Sequence, residues 1–189
     1  MFLKKGKKIP KISFEKYKEI QNNIYDEDEK ALEEYKDYIQ ECGEYIHYKS
    51  LFSEVVYWRK ANQIHKWFVD NVQGGADDCD YYEVSKENIE TLLKICKEVV
   101  QKTITKKGII KNGSTYKDGK WEDNLEEGEI IVNPEIAEKL LPTTEGFFFG
   151  GTEYDEYYLE DLKYTITKLE EILKEFDFEN NYLVYTSSW

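Results

Sequence analysis

The 189-residue sequence predicts an α+β fold, with three main amphipathic helices packed on a small, mostly antiparallel sheet that carries hairpin insertions. Three observations predict it. Apolar residues recur at helical spacing in three segments, short strand-like runs bounded by Gly, Asn and Pro lie between them, and no strand–helix–strand rhythm is present. The 40% hydrophobic and 15% aromatic fractions suffice for one packed core, which argues against wholesale disorder despite 34% charged residues. We expect a basic N-terminal segment, loop or strand, over residues 1–25 and a single acidic α+β domain over 26–189.

In chain order, Lys-rich residues 1–12 are interrupted by Gly6 and Pro10 and read as a loop or a strand entering the domain. Residues 13–48 show broken helical periodicity through Ile20, Ile24, Leu32, Tyr35, Tyr38 and Ile39, predicting one or two short helices. His47 stands isolated. Ser53–Gly75 reads as an organising helix: Tyr57, Ala61, Ile64, Phe68 and Val72 form its apolar stripe, and Arg59, Gln63, Lys66, Asp70 and Gln73 its polar one. Ser53 would cap its start and Gly74-Gly75 its end.

Beyond it, Asp77–Asp80 forms an acidic turn without the alternating carboxylates and central glycine of a calcium loop. Residues 81–84 predict a short strand, and Ser85 caps a helix with its stripe at Ile89, Leu92, Leu93, Cys96, Val99 and Val100. Asn112-Gly113 and Asp118-Gly119 are hairpin-turn dipeptides, which predict an antiparallel meander over 106–122 rich in lysine. A strand over 129–132 precedes a helix to Leu141, with Asn133 as cap and Pro134 at the first position. Phe147–Phe149 between glycines predicts a buried strand, and Thr152 with Asp155 a capping box for the last helix, whose stripe runs from Leu159 to Phe176. The last strand is 182–185.

No segment approaches the roughly 18 apolar residues of a membrane helix, and the basic start lacks the apolar stretch of a signal peptide. Cys42, Cys79 and Cys96 are odd in number and lack metal-ligand spacing, which predicts free thiols in a reducing, cytoplasmic setting without a metal site or cofactor. Residues 1–25 carry a net +5, leaving −18 for the rest of a chain whose total is −13. Within 122–161 there are thirteen acidic residues and one basic residue, Lys139. Phosphate is repelled by such a surface, so nucleic acid is disfavoured as a partner of the body and a basic protein surface is favoured. Simple solubility is the competing explanation.

No catalytic set is predicted. His65 is the one histidine in a structured context, but a general base needs a partner within about 3 Å, and Asp70, five residues along a helix, lies on another face. Asp155/Glu156 and Glu160/Asp161 are paired acids that could serve a hydrolase, and need no such explanation within an acidic stretch. The candidate partner-binding face is Glu122, Asp123, Glu126, Glu127, Glu129, Glu153, Asp155 and Glu156. The alternative is a ligand site built from Trp58, Arg59, Asn62, Gln63, His65, Lys66 and Asp70, in which arginine grips an anion and tryptophan stacks on a ring.

The strings YWRKANQIHKWFVDNVQGG (57–75), AEKLLPTTEGFFFGGTEYDEYYLEDLKYTI (137–166) and terminal SSW (187–189) resemble an uncharacterised family of small proteins encoded by bacteriophages and prophages. The resemblance spans most of 53–189 and leaves the first fifty residues outside it. It implies a phage-encoded protein at work in the host cytoplasm and carries no established activity. The expectation is a non-enzymatic accessory protein that inhibits a host nucleic-acid-directed defence complex, in the manner of an anti-CRISPR, by mimicking nucleic acid. Sequestration of a nucleotide-like signalling molecule is the alternative. No membrane contact is expected.

Overall fold

The computed structural model describes residues 1–43, 47–146 and 150–188. Six helices and eight strands occur among them, and every strand pairing is antiparallel, so the class is α+β. The predicted strand at 147–149 lies outside the described residues. The chain forms two compact units: Met1–Tyr57 with Asp78–Lys86 and Phe176–Ser188, and Trp58–Asp77 with Glu87–Glu175.

The first unit is built on strands β1 (Phe2–Lys7), β4 (Phe52–Tyr57), β5 (Tyr82–Glu83) and β8 (Asn181–Thr186), in the order β4-β1-β8-β5. The Lys-rich start is therefore an inner strand. Helices α1 (Phe14–Tyr25) and α2 (Glu29–Glu34) are the two short helices expected, started by side-chain caps from Ser13 to the Lys16 N–H and from Asp28 to the Ala31 N–H. A small hairpin, β2 (Gln40–Cys42) with β3 (Tyr48–Ser50), was not foreseen. Tyr17, Ile20 and Ile24 of α1 pack with Leu51, Phe52 and Val184. Inside this core the Gln21 side chain accepts from the Leu51 N–H at 2.7 Å and from Ser50 Oγ at 3.1 Å, so burial leaves neither group unpaired.

Ser53 does not cap a helix. Residues 52–57 are strand β4, where alternation and the β-branched pair Val55-Val56 suit the register Leu3↔Val56 with β1. Tyr57, placed by periodicity on a buried stripe, is exposed.

In the second unit, helix α3 (Asn62–Asn71) begins after a turn at Arg59-Lys60, with Lys60 at φ +67°. Gly74 and Gly75 close it at positive φ, as expected. Ala61, Ile64 and Phe68 are buried, but so are the polar Asn62, Gln63, His65 and Gln73. Trp58 is also buried, donating from Nε1 to Thr165 Oγ1 at 2.9 Å. Helix α4 (Lys86–Lys102) buries the predicted Ile89, Leu92, Leu93, Cys96 and Val99. Helix α6 (Glu156–Glu175) buries Leu159, Leu162, Leu169 and Ile172, and Lys97 pairs with Glu170 at 2.5 Å between the two helices. The Asp155 carboxylate caps α6 through the Tyr157 and Tyr158 N–H groups, so the cap is one aspartate and not a box with Thr152. Helix α5 (Glu135–Leu140) follows Pro134; Asn133, instead of capping it, bonds to the Ile104 N–H and the Lys102 carbonyl.

The expected meander is one long hairpin, β6 (Thr105–Lys117) and β7 (Lys120–Ile131). Asp118 and Gly119, at φ +49° and +81°, make the two-residue turn. Asn112-Gly113 is not a second turn but a bulge, two residues opposite Asn124 alone, with Gly113 at φ +73°. No helix among the described residues is long and apolar enough to cross a membrane.

Gly6 reports directly on the packing of the first unit. A Cβ there would stand 2.6 Å from Tyr17 Oη and 2.9 Å from Phe52. Gly6→Ala is expected to cost about 1–3 kcal/mol by overpacking, read from urea unfolding; an unchanged midpoint would contradict this close approach.

Candidate functional site

The second unit gathers chemistry at the β6–β7 ribbon and at a cleft of about 350 Å³. In the ribbon, the basic and acidic stretches of the sequence face each other. Lys107 lies opposite Glu129, and Lys111 pairs with Asp123 at 2.7 Å. Over 105–131 five lysines meet six acidic residues, a net of −1. The ribbon itself is therefore nearly neutral.

Side-chain alternation places Asp123, Glu127 and Glu129 on one face of β7, and Glu122 and Glu126 on the other. Glu126 accepts a short hydrogen bond from Tyr157 Oη, and bonds from Tyr157 and Asn112 hold its carboxyl below the usual range. The same bond raises the Tyr157 phenol to about 12. Glu156 accepts from the Glu129 N–H at 2.8 Å. Asp155 is buried as the α6 cap; desolvation raises its carboxyl, opposed by the Tyr158 and Tyr157 N–H bonds. Glu153 is exposed on the cleft rim. The eight acidic residues thus do not share one face.

The residues missed from sequence are apolar. Ile109, Tyr116, Trp121 and Leu125 are 60–71% exposed. All four lie on the Asp123/Glu127/Glu129 face, with the Tyr116 and Trp121 rings 5.3 Å apart at the tip. Once the Asp-Gly turn sets the register, the period-two spacing of Trp121, Asp123, Leu125 and Glu127 reveals them.

Of the alternative site, Arg59, Asn62 and Gln63 line the cleft. Asn62 Nδ2 donates to the Gly151 carbonyl at 2.7 Å and its Oδ1 accepts from the Thr144 N–H at 2.9 Å, tying both residues to the start of α3. Gln63 Nε2 donates to Asp161 Oδ2 at 3.2 Å. Trp58 and His65 are buried, with His65 Nε2 3.1 Å from Asp77, and neither ring is available to stack on a ligand. Lys66 and Asp70 pair with each other at 2.7 Å instead. Lys60 and Lys111 join the lining unforeseen, as does Asp161, which the sequence marks only as half of the Glu160/Asp161 acid pair.

Burial raises the Asp161 carboxyl to about 6; the Gln63 bond opposes this, and the nearby Glu160 and Asp155 carboxylates add to it. The three cysteines are free thiols. Among the described residues no group of three or more His, Cys, Asp or Glu side chains is placed to hold a metal ion. The geometry offers grip and recognition: an exposed ribbon face, and a polar cleft with a desolvated carboxylate. Comparison of the chain with protein-family models, curated proteins and solved structures finds no match.

The raised carboxyl has a definite sign in stability. An acid with a raised folded-state pKa holds its proton more tightly in the folded chain, so stability is lost as pH rises from the unfolded value near 4 through about 6. Asp161→Asn, which can still accept from Gln63, is expected to stabilise by on the order of 1 kcal/mol at pH 7.5. The gain should shrink as pH falls towards 4. Thermal unfolding across pH checks it, and an equal or absent gain at both ends would contradict it.

Proposed function

We propose that the chain is a phage-encoded accessory protein that inhibits a host nucleic-acid-directed defence complex by docking on a basic surface, with the β6–β7 ribbon as the docking element. The observation that carries this reading is the row of exposed side chains Ile109, Leu125, Tyr116 and Trp121 beside Asp123, Glu127 and Glu129 on one face. Protein interfaces combine apolar and aromatic anchors with a charged rim in this way, and a row of large exposed hydrophobic residues on a monomer is unusual without a partner. The phage setting rests on the resemblance of 57–75, 137–166 and 187–189 to phage and prophage proteins. The basic character of the partner rests on the chain's net charge of −13.

The cross-strand lysines refine the role of charge. Glu129 and Asp123 face Lys107 and Lys111, so the carboxylates act as a rim that orients the partner while Trp121 and Leu125 provide the desolvated anchor. Nucleic-acid mimicry then rests on competition for the basic surface and not on a continuous acidic stripe.

The test is capture of host protein from lysate by the tagged chain at low and high salt, with mass spectrometry and competition by nucleic acid. We expect a stoichiometric partner that normally binds nucleic acid, released by that nucleic acid and weakened by salt. Trp121→Ala with Leu125→Ala should reduce its affinity at least about tenfold (1.4 kcal/mol). Glu127→Lys with Glu129→Lys, both on the docking face, should reduce it less and flatten the salt dependence. A partner retained equally by both double variants, or absent, would overturn the reading.

A further inference from the structure

We infer that the cleft of the second unit binds a small phosphorylated molecule whose other end carries adjacent N–H donors, with a guanine mononucleotide as its natural probe. Apart from Lys111, which also pairs with Asp123, the site is distinct in its residues from the exposed ribbon face. Its size, about 350 Å³, falls in the range of small-molecule sites.

The anion end is set by Arg59 and Lys60. Both are exposed on the rim, and among the described residues neither side chain forms an ion pair or hydrogen bond. The turn that presents them is constrained: Lys60 sits at φ +67°, and its carbonyl accepts from the Asn62 N–H at 2.8 Å. Gly150, at φ +83°, packs against Lys60 so closely that a Cβ would stand 3.1 Å from the lysine Cβ. Backbone held away from its ordinary conformations commonly marks a functional turn. A guanidinium and an ammonium lining the same cleft suit a phosphate, the first by its fork and the second as a point charge.

The donor end is set by Asp161. Its carboxylate takes one bond from Gln63, itself buried, and no described cation pairs with it. A carboxylate has about four acceptor positions, so Asp161, which lines the cleft, keeps capacity for further donors. Glu160 and Asp155 nearby add negative potential that favours a donor edge. A guanine edge offers two parallel N–H groups, which match the two oxygens of a carboxylate; adenine does not present that pair. A site that uses a buried acceptor in this way discriminates strongly, because the wrong base leaves it unpaired. Asn62, which also lines the cleft, is held in place by Gly151 and Thr144 before any ligand arrives.

The test is titration calorimetry and thermal shift on the full chain with GMP, AMP and inorganic phosphate. GMP is expected to bind and raise the melting temperature, with AMP at least about tenfold weaker. Arg59→Ala with Lys60→Ala, both on the exposed rim, should weaken GMP at least about tenfold and remove the response to phosphate. Asp161→Asn should keep phosphate binding and lose the preference for guanine; circular dichroism of each variant checks that the fold is retained. No response to any of the three compounds at millimolar concentration, equal binding of GMP and AMP, or variants that bind as the parent would each overturn the inference.

Discussion

The pairing of the chain's first strand with its last is the constraint on which the first unit depends. Strand β1 exchanges hydrogen bonds with β4 on one side and β8 on the other, in the register Leu3↔Val56 and Leu3↔Tyr185. Its backbone groups are thereby satisfied on both edges, which a mobile basic tail would leave to water. The lysines it carries find aromatic faces: Lys4 lies 5.4 Å from the Phe2 ring and 5.7 Å from that of Tyr81, and Lys7 lies 5.6 Å from that of Tyr38. Since residue 2 meets residue 186, this sheet closes only when β1 and β8 are both in place. Such non-local pairing is slow to form.

The second unit lies within that sequence and carries the chemistry. There, two stretches of opposite charge, separate in the sequence, are brought strand to strand by the Asp118-Gly119 turn. Charge compensation leaves the apolar face of the ribbon as its most distinctive surface. It also frees the interpretation of function from net charge, which describes solubility and long-range attraction but does not say which atoms touch a partner. The cleft follows a different logic, with buried amides arranging a carboxylate and a constrained turn presenting cations.

The helices at 86–102 and 156–175 were legible because their apolar residues repeat over many turns, and the strands at 82–83 and 181–186 because they are short β-rich runs. The Ser53–Tyr57 stretch was not, since Tyr57 happens to fall in register with Ala61, Ile64 and Phe68; its partner, β1, lies fifty residues away and overrides the local pattern. Gln63 belongs to the polar stripe of the sequence pattern, yet it is buried together with Asn62 and His65. The hydrogen bonds of Asn62 and Gln63 reach Gly151 and Asp161, 89 and 98 residues on, and His65 meets Asp77 beyond the end of the helix; partners outside the helix leave no sign in its periodicity. Asn112-Gly113 satisfies a turn and a bulge equally, because both need positive φ; only the register of β7 decides between them. Of the candidate site, Arg59, Asn62 and Gln63 were legible as a group, whereas Asp161 was hidden among other acids.

The central claim is that the exposed face of the β6–β7 ribbon meets the partner. Backbone amide hydrogen exchange of the chain, free and saturated with its captured host protein, tests this most directly. Slowed exchange concentrated in residues 109–125 is the predicted result. Protection confined to other segments, with the ribbon exchanging as in the free chain, would contradict the account.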